Sequence, residues 1–507
     1  MCGIVAQHGG DDVVELERML ERLHHRGPDE RGIKTLEHGW LGHTRLSIVD
    51  LAHGRQPLAN AAGDAWLVGN GEIYNHAQVR AEIGDQRFLT MSDNEVGLYL
   101  MEHDSVDALA QLNGMFAFVM ATADGRFVAA RDAVGIKPLY WARPPRSPRG
   151  SEHEGVTRFA SEMHAFDPDW QPYVEPFPPG HVWTPEGGLE RFASAVPEGP
   201  LVAPHGDYVA GTREVLVRAV EHQMMGDVPV GVFLSGGLDS SIVAAIAARW
   251  CHRHGTTLKT FAIGTQGSPD IAAARRVAEF VGAEHREFAY DADDALEVLP
   301  EVVRSIESFD PGLVRSAVPN YLLARETSEH IKVVLTGEGA DELFAGYAYM
   351  AEITDAEELH AELERTVRSL HNLNLQRCDR VTMAHGLEAR VPFLDLDVIR
   401  WALSLPAAEK FTTPARLEKA LLREAFTGWL PDDLLWRVKA EFGDGSGARD
   451  VLSEAIEAEI TDAELAAERD AVRPPLRSKE ELAYYRVWRE HLEGVSAERT
   501  LSRFARA

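Results

Sequence analysis

A chain of 507 residues, 45% hydrophobic and 26% charged, has the composition of a globular protein and is too long for one hydrophobic core. A formal charge of −29 excludes an extended nucleic-acid surface, which needs clustered Lys and Arg. No apolar run approaches the roughly 20 residues of a membrane span, the N-terminus lacks the basic-then-apolar layout of a signal peptide, and three cysteines are too few for a disulfide framework, so a cytoplasmic protein is expected.

Residues 2–195 read as an α+β region of antiparallel strands. The stretch DAWLVGNGEIYN (64–75) reads as a strand breaking into a glycine-containing loop. GMFAFVMATADGRFVAARD (114–132) reads as a hairpin turning at Ala-Asp-Gly, and the Pro/Arg-rich 142–155 as an exposed loop between strands. The Pro/Gly density of 196–206 marks a linker. From 207 to 507 the pattern changes: DVPVGVFLS, LKTFAIG and IKVVLT are each followed by a loop and a helical run, which predicts a parallel α/β sheet. Beyond about residue 360 the chain reads as mostly helical, its last part a helical cover with solvated charged faces.

In a parallel sheet, ligands bind beyond the carboxyl ends of the strands. There SGGLDSS (235–241) sets Gly236 and Gly237 where backbone N–H groups can curl around an anion, with the hydroxyls of Ser235, Ser240 and Ser241 and a helix N-terminus aimed at the same point. The carboxylate of Asp239 would repel a bare phosphate and makes sense beside a cation such as Mg²⁺. No Walker-type phosphate loop occurs.

SGGLDSS resembles the pyrophosphate loop of the N-type ATP pyrophosphatases, and TGEGADELFAGY (336–347) with LEARVPFLD (387–395) resembles matching segments of glutamine-hydrolysing asparagine synthetases. With motifs in order along most of its length, the chain is similar to the asparagine synthetase B family. The resemblance implies that 235–241 holds pyrophosphate, with Asp239 and Asp341 for Mg²⁺ and Leu234, Ile263, Thr336 and Gly337 lining the adenosine site. It implies a role for Glu338 in forming an acyl-adenylate, for Lys439 beside the phosphates, and for Arg315 in clamping an acceptor carboxylate. Gly312 and Leu313 stand where the family carries threonines of the aspartate site, and Thr336 and Ala340 where it usually carries serines.

Cys2 lies directly behind the initiator methionine. If that methionine is removed, one residue carries a thiol (pKa about 8.5) and an α-amine (roughly 8), so nucleophile and base coincide. MCGIV alone leaves the question open, but RLSIVD (45–50), NGEIYN (70–75) and SDNE (92–95) resemble the glutamine pocket of class II amidotransferases, which are N-terminal nucleophile hydrolases. The resemblance implies Cys2 as nucleophile, Asn70 and the Gly71 N–H as oxyanion hole, and Arg45 and Asp93 on the α-carboxylate and α-ammonium of glutamine. Glu72 would orient the substrate, Leu46, Ser47, Ile48 and Val49 would line the pocket, and HHRGPDERG (24–32) would close over it. CHRH (251–254) and HH (24–25) read as chance clusters, and Cys251 and Cys378 as inert packing residues.

The expected reaction is amidation of L-aspartate through an acyl-adenylate, with L-glutamine as donor and ATP cleaved to AMP and pyrophosphate, ammonia passing between two sites. A homodimer is expected from the resemblance alone. The alternatives are the same chemistry on another carboxylic acid, kept open by Gly312 and Leu313, or a non-catalytic regulatory homologue, disfavoured because the motifs are complete. A β-lactam-forming relative would need no ammonia.

Overall fold

A computed structural model of the chain describes residues 2–10, 13–102, 106–145, 155–199, 202–438, 452–453, 456–457 and 459–504. The first part is built on two six-stranded antiparallel sheets. One runs, edge to edge, β10 (Val174–Pro176), β8 (Tyr140–Ala142), β9 (Thr157–Ala160), β1 (Cys2–His8), β3 (Gly39–Arg45) and β2 (Glu30–Leu36). The other runs β12 (Gly188–Arg191), β11 (His181–Thr184), β7 (Phe127–Arg131), β6 (Gly114–Thr122), β5 (Ala65–Ile73) and β4 (Leu58–Ala59).

The period-two alternation of these strands explains the layering. On β6, Phe116, Phe118 and Met120 pack outward with Val96 and Leu98, whereas Ala117, Val119 and Ala121 face the first sheet with Ile4, Ala6, Trp141 and Phe159. Helix α1 (Val13–Arg22) covers β1 and β3, and α3 (Glu95–Met101), flanked by α2 (His76–Ile83), covers β5 and β6. The result is helix–sheet–sheet–helix. The predicted hairpin is β6–β7, with Gly125 at φ +97° in its turn. The expected break near Gly69–Gly71 does not occur: β5 stays paired with β6 through Ile73, because Gly71 (φ +142°) passes where a Cβ would lie 1.8 Å from the Met115 carbonyl oxygen. Most of the predicted 142–155 loop lies outside the described residues; the strands on either side of it, β8 and β9, are antiparallel partners.

The second part holds a five-stranded parallel sheet in the order β15 (Glu284–Ala289), β14 (Lys259–Gly264), β13 (Val230–Phe233), β16 (Val333–Leu335), β17 (Glu388–Arg390). Its central strands are apolar runs buried on both faces, as crossover helices require. One helix group is α4 (Tyr208–Gln223), α5 (Leu238–Arg253) and α6 (Pro269–Val281); the other is α7 (Ala292–Ile306), α8 (Pro311–Ser328) and α11 (Asn374–Met383). Between α8 and α11 in sequence lie α9 (Ala340–Phe344) and α10 (Ala356–Ser369). The order reverses between β13 and β16, so the loops after these two strands flank the switch point where such sheets bind ligands. The mostly helical reading after residue 360 missed β17, a three-residue strand inside LEARVPFLD.

A buried ionic seam joins the two parts. Arg26, wholly buried, donates to Asp379 on α11 (2.9 Å) and pairs with Glu162, while Arg380 on α11 pairs with Glu162 (2.8 Å) and Glu307 (3.1 Å). Lys332 reaches back to Asp29 at 2.6 Å. Each buried charge here has an opposite partner, without which its desolvation would cost several kcal/mol.

Candidate active sites

Sheet register assembles the first site. In the first sheet Cys2 is the strand partner of Arg45, and Arg45 of Glu30. The second sheet contributes Asn70, Gly71 and Glu72 from β5. Across the sandwich the Cys2 N–H donates to Asn70 Oδ1 at 3.0 Å. That bond turns Asn70 Nδ2 away, and Nδ2, on a fully buried side chain, has no hydrogen-bond partner among the described residues. A buried unpaired donor costs about 1–3 kcal/mol and marks a place kept for an acceptor.

Around this pair the polar groups are held from behind. Asp93 accepts from the Ile73 N–H (2.7 Å) and from Asn94 Nδ2 (3.1 Å), and burial raises its pKa. Burial and then Glu388 raise that of Glu72, which lies 3.7 Å from Arg390. Arg45 donates to Glu30 (2.7 Å) and to the carbonyls of Val49 (3.1 Å) and Asp50 (2.7 Å), shaping the 46–50 loop. The Ser47 N–H donates to Asp29 (2.7 Å), the Ile48 carbonyl accepts from Asp227 (2.9 Å), and Leu46 is buried with its backbone toward the Cys2 sulfur. Burial pushes the Cys2 thiol up. Arg26 Nε donates to the Cys2 carbonyl (3.1 Å), so the residue that anchors the nucleophile strand also grips α11.

The second site is a cleft of about 620 Å³ at the switch point. Leu234, Ser235, Gly236, Gly237, Asp239, Ser240, Ile263, Arg315, Thr336, Gly337, Glu338 and Asp341 all line it. Gly236 (φ +75°) must be glycine, since a Cβ would lie 2.7 Å from Asp270 O and Ala274 N. A Cβ on Gly337 would lie 2.9 Å from the Cβ of Asp239, so the loops after β13 and β16 touch. Ser241 sits one turn inside α5, where its Oγ donates to the Gly237 carbonyl (2.6 Å). Lys439 lies outside the described residues.

Charged side chains in the cleft are paired with one another. Lys419 Nζ lies 2.6 Å from Asp239 and 2.8 Å from Asp341. Burial alone would lower its pKa, and the two carboxylates overcome it and raise the pKa above the ordinary lysine value. Gly346 makes room for this pair, since a Cβ there would lie 2.0 Å from Lys419 Cε. Glu338 is bound by Arg377 of α11, and Arg315 by Glu480. Burial and then Asp341 push Glu342 up to about 7; Tyr347 and Asn374 donate to it at 2.6 and 3.0 Å. Leu313 is fully buried and does not line the cleft, whereas Gly312 does.

Lys419, Arg377 and Glu342 were not anticipated. RLEKALLRE reads as an amphipathic surface segment, and only the packed chain reveals Lys419 as 3% exposed. The discounted histidine pair has a partner: His25, Glu162 and His164 offer ligand atoms within 4.8 Å of one another. His164 Nδ1 is 2.9 Å from Glu307 and Nε2 is 3.2 Å from the Arg22 carbonyl, and Glu162 is held by two arginines, so the cluster belongs to the ionic seam. Cys378 lines the cleft as an inert thiol, pushed up to about 12 by burial and then Glu338.

Comparison with known proteins matches residues 1–176 to the Glutamine amidotransferase domain and residues 211–355 and 351–503 to Asparagine synthase. The chain is 40% identical over 479 residues to asparagine synthetase [glutamine-hydrolyzing] 2 of Arabidopsis thaliana, covering 88% of this chain and 79% of that one. It is 37% identical over 544 residues to asparagine synthetase [glutamine-hydrolyzing] 1 of Saccharomyces cerevisiae, covering 96% and 92%. The relative from Zea mays is 38% identical, covering 97% and 86%. A glutamine amidotransferase domain and an asparagine synthase region in one chain, matched to these relatives over most of its length, make this protein a member of the glutamine-hydrolysing asparagine synthetase family.

Proposed function

We propose that the protein is a glutamine-dependent asparagine synthetase: it hydrolyses L-glutamine in the first site and uses the ammonia in the second to amidate L-aspartate, with ATP cleaved to AMP and pyrophosphate. The observation that carries the reading is the conjunction of a buried Cys2 bonded through its N–H to Asn70, whose amide donor is unpaired, with a switch-point cleft lined by residues 235–240 and 336–339.

With Met1 removed, the Cys2 α-amine takes the thiol proton and Sγ attacks the amide carbon of glutamine. Asn70 Nδ2 and the Gly71 N–H receive the charge that develops on the carbonyl oxygen. Arg45 exchanges Glu30 for the α-carboxylate of the substrate, Asp93 accepts from its α-ammonium, and Glu72 orients it. Ammonia leaves, and water frees the thiol.

In the cleft the α5 N-terminus and the Ser235–Ser240 loop hold the β- and γ-phosphates of ATP, and Leu234, Ile263, Thr336 and Gly337 the adenosine. Asp239 and Asp341 converge on a single cationic nitrogen, and this all-oxygen pair suits a hard divalent cation. Mg²⁺ bound there would neutralise phosphate charge, with Lys419 moving onto the phosphates it releases. Lys439 adds a second positive charge. Arg315 takes the acceptor's α-carboxylate; its β-carboxylate attacks the α-phosphorus and pyrophosphate leaves. Adenylation is needed because oxide is a poor leaving group and AMP a good one. Glu338, held by Arg377, would serve formation of the acyl-adenylate, whose acyl carbon ammonia then attacks with AMP leaving. A cytoplasmic setting, supported by three unpaired cysteines, and a homodimer, supported by the family resemblance, complete the reading.

The test is pyrophosphate release with glutamine and Mg-ATP, with and without L-aspartate, followed by mass spectrometry of the amino acids. Aspartate-dependent release with equimolar asparagine is expected. Glutamate formation without aspartate-dependent pyrophosphate would move the reading to a different acceptor acid.

A further inference from the structure

The cleft ends against residues 503–504, the last of the described chain. Arg503 and Phe504 line it together with Gly312 and Arg315. Phe504 is fixed there by its backbone: its N–H donates to Asp310 (3.0 Å) and its carbonyl accepts from Arg477 (2.7 Å), which also donates to Asp310 (3.1 Å). Asp310 in turn caps α8 by accepting from the Leu313 N–H at 3.0 Å. The ring rests on Gly312: a Cβ at that position would lie 3.1 Å from Phe504 Cδ2. A methyl at residue 312 would press on the ring, which would have to give by a few tenths of an ångström.

One turn further along α8, Arg315 meets the helix Lys479–Leu492. Its Nε donates to Glu480 Oε1 at 2.9 Å and its Nη2 pairs with Oε2, and Tyr484 fixes the same carboxylate from the other side at 2.8 Å. Glu480 does not line the cleft; its side chain is 7% exposed against 19% for Arg315. Glu480 therefore grips one edge of a planar fork. Arg315 Nη1 makes no hydrogen bond among the described residues, and a guanidinium held by its Nε edge keeps the end-on edge for a second carboxylate.

We propose that the C-terminal segment builds the acceptor subsite: Glu480 is a positioning residue that orients Arg315 toward the acceptor's carboxylate, and Phe504, seated on Gly312, is the wall that limits acceptor length to that of aspartate. The proposal rests on the aspartate reading above. It accounts for the loss of side chain at position 312, whose place is taken by an aromatic ring from the far end of the chain. A wall of this kind discriminates against one extra methylene by about 10–200-fold, the ordinary range for a shaped pocket.

The experiment is steady-state kinetics of the full chain and four variants, with aspartate and with glutamate as acceptor. Glu480→Gln keeps the shape and removes the charge; the expected result is a KM for aspartate raised at least about tenfold, with kcat and the KM for glutamine within about threefold of wild type, and with Glu480→Asp restoring part of the loss. An unchanged KM overturns the positioning role, and a lowered KM overturns it by making Glu480 a competitor for Arg315. Phe504→Ala, at the chain's end, carries the test if Glu480→Gln fails to fold, as judged by its glutaminase activity. It should lower the aspartate-to-glutamate ratio of kcat/KM at least about tenfold, and Gly312→Ala, whose methyl presses on the ring, should shift the ratio in the same direction by less. An unchanged ratio in both overturns the wall. Wild type that makes no asparagine would instead overturn the aspartate reading.

Discussion

The two halves of the molecule prepare their chemistry in opposite ways. In the glutaminase half the polar groups are sealed between two sheets and held by backbone and amide neighbours: Asp93 by the Ile73 N–H and Asn94, Asn70 by the backbone N–H of Cys2. Asn70 Nδ2 is among the buried donors left over. In the synthetase half the charged groups of an open cleft are held by ion pairs, Lys419 on Asp239 and Asp341, Arg377 on Glu338, and Arg315 by Glu480 from outside the lining. The first site handles one small neutral amide, so its work is electrostatic preorganisation with one place open. On the proposed function the second admits ATP and an acceptor acid, and its internal ion pairs would stand in for the charges these bring. What joins the two is α11, which carries Arg377 to the cleft and Asp379 to Arg26 behind Cys2.

This contrast sets a graded series of tests. The largest effect is expected of Cys2→Ala, which should abolish glutamine-dependent synthesis yet leave synthesis from added ammonium salts within about twofold of wild type. Equal loss of both activities would erase the division of labour. Next is Lys419→Met, for which asparagine formation from either nitrogen source should fall by about 10²–10³-fold, the usual cost of removing one fixed charge from a transition state, with glutaminase turnover preserved. A wild-type synthetase rate would make Lys419 a mere space-filler. The smallest effect concerns stability. His43, buried between the sheets with Nε2 3.2 Å from the Gly69 carbonyl, is pushed by burial down to about 3. Between about pH 6.5 and 3 the unfolded chain takes up a proton that the folded chain refuses, so stability is lost as the pH falls. His43→Gln should narrow the drop in melting temperature between pH 7 and pH 5 by a few degrees. An unchanged drop would mean that acid acts elsewhere.

Much of this was legible before any fold was known, and the reason differs by element. The hairpin of 114–132 and the strand–loop–helix units at 230, 259 and 333 announce themselves because local periodicity and turn chemistry agree with the tertiary structure. SGGLDSS and NGEIYN are legible as candidate site segments because each is a contiguous stretch, one at the loop after β13 and one on β5. Lys419, Arg377 and Glu480 left no such mark. Each acts across a large separation, Lys419 to Asp239 over 180 residues and Arg315 to Glu480 over 165, and an ion pair formed by folding has no local pattern. β5 was misread for a related reason. Two glycines in a strand signal a break unless a neighbouring backbone passes too close for a side chain, and Met115 does so at Gly71.

The central claim is that ammonia made at Cys2 is consumed at the cleft of the same molecule. The most direct test supplies [amide-¹⁵N]glutamine, aspartate and Mg-ATP together with unlabelled ammonium and reads the label in asparagine by mass spectrometry. The account predicts asparagine carrying ¹⁵N well above the label in bulk ammonium at the same time. Asparagine labelled only to the level of the bulk pool would contradict it, reducing the protein to two independent enzymes on one chain.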